Sequence, residues 1–220
     1  MKYYEKFSII KNVGIELEGG ISEKALDIFI EKTKRNGFYS RISVGYDYSV
    51  SVPSPVHNIN WYSDVEIRFW SDDIDELLFY VETLFNLGFK QNATCGNHHH
   101  FKFTSPLAFS IMASPSFYNG FVREYKKFAE KRGEKYMRRI RNNYCKVPRD
   151  EYELRKNILG HDRYFALNFH SIFKHSTFEV RILPYAENFR EFEEMHLWLC
   201  KTINKLLIKY KKVLTAEVKW

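Results

Sequence analysis

The sequence predicts an α+β fold: a mainly antiparallel sheet with one polar face, and helices packed on the other. Three observations carry that expectation. Five short segments, at 13–18, 65–69, 98–103, 165–170 and 178–182, alternate apolar with charged or ligand-type residues, the period of two that marks a half-exposed strand. Four longer stretches repeat their apolar residues at helical spacing. No linker rich in Gly, Ser or Pro, no internal repeat and no low-complexity block interrupts the chain, so a single domain over 1–220 is expected.

Taken in order, 13–18 places Val13, Ile15 and Leu17 on one face, with Glu16 and Glu18 on the other. Ser22 then caps an amphipathic helix through Ala25, Ile28 and Phe29 that stops at Gly37. The second strand offers Glu66 and Arg68. Asp72 and Asp73 open a helix striped by Leu77, Leu78, Val81, Leu84 and Phe85 and closed by Gly88. In the histidine strand, His98 and His100 share a face and His99 does not. A long basic helix is expected from about 117 to 139. Two further strands follow, one with Asn168 and His170, the other with Glu179 and Arg181. A last basic helix is expected over about 189–212.

The 220 residues are 45% hydrophobic and 17% aromatic, which excludes general disorder. No apolar run reaches the roughly 18 residues of a membrane helix. The N-terminus lacks the apolar region and cleavage site of a secretory leader, so a cytoplasmic protein without a membrane partner is expected. Three scattered cysteines, Cys95, Cys145 and Cys200, suit neither a thiolate zinc site nor a disulfide framework. The net charge of +7 is unevenly spread. Residues 123–156 carry 13 basic and 6 acidic side chains, and 201–220 carry 6 and 1, which leaves the remainder net acidic.

An ordinary wet strand face is filled with Thr, Lys, Ser and Gln, whereas these strands offer Glu, His, Asn and Arg, the residues that coordinate metals and hold phosphates. In one sheet they would converge on a concave polar surface. Glu16, Glu18, Glu66 and Glu179 at close quarters repel one another, and divalent cations resolve the repulsion. Carboxylates in that number suit Mg²⁺ or Mn²⁺, the latter accepting imidazoles more readily. Arg181, with Arg68, then fits an anion that the metals also hold, and polyphosphate is the obvious candidate.

Four segments, 14–18, 95–100, 163–168 and 177–181, resemble in order and spacing the motifs of the amidoligase family, as does 141–145. That family belongs to the carboxylate–amine ligase superfamily of glutamine synthetase and glutamate–cysteine ligase, and the similarity spans about 12–200. The resemblance implies a curved antiparallel sheet of the glutamine synthetase type, whose concave face binds ATP and two or more Mg²⁺ (or Mn²⁺) ions. It implies Glu16, Glu18 and Glu66 as metal ligands, with Asp47 and Ser49 on the strand partnering Glu66. It makes His98 the metal-binding histidine and sets His100 beside the nucleotide or substrate. Glu179 would ligate the metal nearest the transferred phosphoryl group, and Arg181 would hold that phosphate. Arg141 and Arg163 could hold the carboxylate substrate or a phosphate, and Asn168 could buttress the sheet or touch the ligand. The implied reaction activates a carboxylate with ATP as an acyl phosphate and joins it to an amine, both small molecules or peptides.

Two other readings stand beside it. His98 and His100 could serve a zinc-dependent hydrolase. The basic segment 123–156, with Arg138, Arg139, Arg141, Tyr136 and Tyr144, could bind nucleic acid without catalysis, although a solvated helix face accounts for it more simply.

Overall fold

The architecture comes from a computed structural model of the chain and is described for residues 10–217 except 58, 160 and 161, with the backbone alone from 212 on. The first nine residues, on which the expectation of no leader rests, lie outside the described residues, as does Lys219.

The elements are β1 (Ile10–Ser22), α1 (Glu23–Arg35), a 3₁₀ turn (Tyr39–Arg41), β2 (Ile42–Tyr46), β3 (Trp61–Ser71), α2 (Ile74–Asn86), β4 (Gly96–Phe103), α3 (Leu107–Met112), α4 (Pro115–Arg132), α5 (Glu134–Ile140), α6 (Glu151–Ile158), β5 (Leu167–Asn168), α7 (His170–His175), β6 (Phe178–Pro184) and α8 (Phe189–Glu217). The fold is α+β, with an open six-stranded antiparallel sheet in the order β2-β3-β1-β4-β6-β5. Among the described residues no helix is long and apolar enough to cross a membrane. The chain divides into two compact units. The first comprises Asn12–His99 and Pro184–Met195, and the second His100–Leu183 and the chain from His196 onward.

In the first unit, β1 pairs antiparallel with β3, Glu16 opposite Arg68 and Glu18 opposite Glu66, and β3 pairs in turn with β2. The alternation works as the sequence predicts. Val13, Ile15, Leu17, Val65 and Ile67 are fully buried, and Phe69 nearly so, while the charged residues between them face the other way. Phe29 of α1 meets Phe69 edge to face at 6.0 Å. Leu77, Val81 and Leu84 of α2 are fully buried, and each such side chain contributes about 1.5–3 kcal/mol of hydrophobic stabilisation. Ser22 caps α1 by accepting the Ala25 N–H at 3.2 Å, and Asp73 caps α2 by accepting the Glu76 N–H at 3.1 Å. Gly37 and Gly88 follow the two helices at φ +72° and +94°. Gly19 sits where β1 shifts register, and a Cβ there would lie 2.3 Å from the Phe89 ring and 2.5 Å from Lys90 O.

In the second unit, Trp198 of α8 stacks on Phe128 of α4 at 4.3 Å and meets Tyr125 edge to face at 5.8 Å. At Gly120 the two helices approach so closely that a Cβ would lie 2.8 Å from Tyr210 Oη. The single helix expected over 117–139 is two, because Gly133 adopts φ +94° and ψ −170°, a conformation open only to glycine, and turns α4 into α5. The strand expected over 165–170 is also shorter. Only Leu167 and Asn168 pair, with Val180 and Glu179. Asn168 Oδ1 accepts the His170 N–H at 2.9 Å, bending the chain into α7, so His170 begins a helix and shares no strand face with Asn168.

Candidate functional site

Each unit carries candidate residues.

In the first unit, Glu18, Asp47 and Glu66 each bring one carboxylate oxygen within 4.8 Å of the others. Strand pairing sets two of the three, since Glu18 lies directly opposite Glu66. The third stands just past β2. The Asp47 N–H donates to Asp64 O at 2.7 Å, while its Oδ1 accepts from the Ser49 N–H at 2.9 Å and the Ser49 hydroxyl at 2.6 Å. Asp47 therefore opens a long connection to β3 rather than a tight hairpin. Val50 and Val52 pack with Cys95, Trp61 and Tyr185, and the Trp61 indole N–H donates to Val52 O at 2.7 Å.

His98 enters the same group from β4. Its Nδ1 lies 3.3 Å from Glu16 Oε2 and its Nε2 lies 3.6 Å from Glu18 Oε1, so the imidazole sits among carboxylates. The other oxygen of Glu18 accepts the Gly96 N–H at 2.6 Å. Arg68 ion-pairs with Glu66 and lies 3.4 Å from Glu16 Oε1, which makes it the carboxylates' counterion. Even so, burial and the neighbouring Glu16 push the Glu66 carboxyl up to about 7, against the pull of Arg68 and His98. Burial and the neighbouring carboxylates thus both disfavour a charged Glu66. The donor set, three carboxylates with an imidazole close by, suits a hard divalent cation.

His99 alternates to the other face, where it is fully buried with its ring 5.7 Å from that of Phe192. One contributor carries no local signal. Gln91, in the approach to β4, donates to Glu18 O at 2.6 Å and to Asn97 Oδ1 at 2.9 Å and accepts the Ala186 N–H at 2.8 Å. It ties the backbone beneath Glu18 to that of β4, a function that strand periodicity cannot reveal.

In the second unit, Glu179 of β6 is 3% exposed. One of its oxygens accepts from Asn168 Nδ2 at 2.5 Å and from the Ser171 hydroxyl at 2.9 Å, and the other from Arg181 Nη1 at 2.6 Å. Asn168 faces it across the β5–β6 pair, and Ser171 comes from the first turn of α7. Arg181 Nε also donates to Tyr144 O at 3.4 Å, and Arg139 Nη2 donates to Arg181 O at 2.6 Å. Arg139, expected as a surface cation, is buried. Ser171 carries no sequence signal, because only His170 of α7 falls within an expected element, the strand over 165–170. His100 Nδ1 lies 3.1 Å from Thr177 Oγ1.

Arg141 and Arg163 are exposed on loops. The Arg163 guanidinium lies over the Tyr164 ring at 5.1 Å. Much of the basic segment is engaged locally. Arg138 pairs with Glu134, Arg149 with Glu153, Arg155 with Glu151 and Lys146 with Asp162, and Arg132 covers the Phe128 ring.

Compared with models of protein families, with curated proteins and with solved structures, the chain finds no significant match in any of the three.

Proposed function

We propose that the protein is an ATP- and divalent-metal-dependent ligase that activates a carboxylate as an acyl phosphate and joins it to an amine as an amide or isopeptide. The observation that carries this reading is the Glu18–Asp47–Glu66 trio, with one ligand atom from each side chain within 4.8 Å of the others and Glu66 pushed up to about 7. Crowded carboxylates of this kind call for a cation, and their oxygen-rich composition favours Mg²⁺ or Mn²⁺ over zinc. The motif order along the chain supplies the ligase half of the proposal, and with it the finer fold, a curved sheet of the glutamine synthetase type.

In this reading Glu18, Asp47 and Glu66 would hold a divalent cation, with Glu16 and His98 beside them, and a cation there would supply charge neutralisation for phosphoryl oxygens. Glu179 is held by Asn168 and Ser171 and in turn fixes the Arg181 guanidinium, which binds the transferred phosphate. A carboxylate oxygen of the substrate attacks the γ-phosphorus, the bond to the bridging oxygen breaks, and ADP departs. The amine nitrogen then attacks the acyl carbon, loses a proton and expels inorganic phosphate.

Calorimetric titration with ATP in the presence and absence of Mg²⁺ or Mn²⁺ tests the first half. Metal-dependent binding that is lost in Glu66→Gln and in Arg181→Ala is expected, and no binding under any of these conditions overturns the proposal. ADP release on adding mixtures of carboxylates and amines tests the second half. Chelator-free protein that carries stoichiometric zinc would favour a zinc-dependent hydrolase instead.

A further inference from the structure

The loop before Lys146, which forms a parallel β-bridge with Phe165, presents an aromatic ring that nothing in the reaction above uses. Tyr144 is 60% exposed, yet the loop that carries it is fixed at both ends. Asn142 Oδ1 accepts the Tyr144 N–H at 2.7 Å, and Cys145 Sγ reaches Arg139 O at 3.1 Å. Lys146 then exchanges backbone hydrogen bonds with the next segment, donating to Tyr164 O at 2.9 Å and accepting from the Ala166 N–H at 3.0 Å.

The ring is also oriented. It meets Tyr164 edge to face at 5.7 Å and 80°, while the Arg163 guanidinium covers the face of Tyr164 at 5.1 Å. Stacking interactions thus occupy Tyr164, and Tyr144 stands at the open end of the row. The same residue's carbonyl accepts from Arg181 Nε at 3.4 Å, so the backbone that carries the ring is tied to the guanidinium assigned to phosphate. Two exposed cations, Arg141 and Arg163, stand on the same pair of loops. A fixed, open aromatic face next to a phosphate-binding arginine and among further cations matches a ligand with a planar ring at one end and negative charge at the other.

We infer that Tyr144 stacks the base of the bound nucleotide. This deepens the ligase reading and rests on Arg181 holding phosphate. The experiment compares Mg·ATP with Mg·tripolyphosphate, which has the charge without the ring, by calorimetric titration of the wild type, Tyr144→Ala and Tyr144→Trp. Tyr144→Ala should weaken ATP about five- to tenfold and leave tripolyphosphate unchanged, with Tyr144→Trp restoring ATP affinity. Unchanged ATP affinity in Tyr144→Ala overturns the inference while leaving the ligase reading intact. Equal weakening of both ligands also overturns it, because Tyr144 would then act through the position of Arg181. If the wild type binds neither ligand, the ligase reading fails and the inference fails with it.

Discussion

Glu66 is a carboxylate with much to gain from a cation. It is buried, it lies opposite Glu18 in the β1–β3 register, and Arg68 compensates only part of its charge. Replacing it with Gln keeps the shape and removes the charge. In metal-free protein at pH 8, Glu66→Gln should therefore raise the melting temperature by about 2–4 °C, the shift that corresponds to ~1 kcal/mol in a chain of this length. The same variant should lose the stabilisation that Mg²⁺ or Mn²⁺ gives the wild type. Differential scanning fluorimetry with and without metal reads both effects, and a variant that still responds to metal would remove Glu66 from the ligand set. Glu179 differs in that three donors within its own unit, from Asn168, Ser171 and Arg181, bond its carboxylate.

Helix boundaries show how far local signals carry. Ser22 and Gly37, and Asp73 and Gly88, bracket α1 and α2 closely, because caps and left-handed glycines act on the residues next to them. Gly133 was harder to read, since a glycine inside an amphipathic pattern is compatible with an unbroken helix until its backbone angles are known. A side chain at φ +94° and ψ −170° costs about 1–3 kcal/mol. Gly133→Ala should lower the urea midpoint accordingly, whereas a continuous helix would gain stability from the same change. The strand residues of the candidate site were legible because the period of two separates the faces whatever packs around them. Their supports, Gln91, Ser171 and Arg139, arrive from loops and helix ends through tertiary packing, and no spacing rule applies to them. Asn168 shows the boundary between the two cases. It was legible as a strand residue, but its side chain also ends the strand.

At the scale of the molecule, Glu66 and His196 should make contributions of opposite sign to the dependence of stability on pH. Glu66 is raised to about 7, so in the acid range the folded protein holds a proton that the unfolded chain has released. Its contribution to stability falls as pH rises from the unfolded value near 4.5 to about 7. His196 is fully buried, and burial lowers it to about 4, so its contribution is present above the unfolded value of 6.5 and is lost as pH falls from there toward 4. Denaturation of metal-free protein at half-unit intervals should show the two opposing one another between about pH 4.5 and 6.5, with the Glu66 contribution continuing just above that range. Glu66→Gln should steepen the loss on the acid side, and His196→Gln should flatten it. A profile that neither substitution alters would mean that both groups titrate alike in the folded and unfolded states.

The bond from the Trp61 indole to Val52 makes the loop after Asp47 optically addressable. The indole bonds the loop whose first residue belongs to the carboxylate trio, so a cation that draws Asp47 inward would alter the polarity around Trp61. With Trp70, Trp198 and Trp220 replaced by Phe, its emission would then shift with Mg²⁺ concentration, giving a reporter of metal occupancy that needs no attached dye and no turnover.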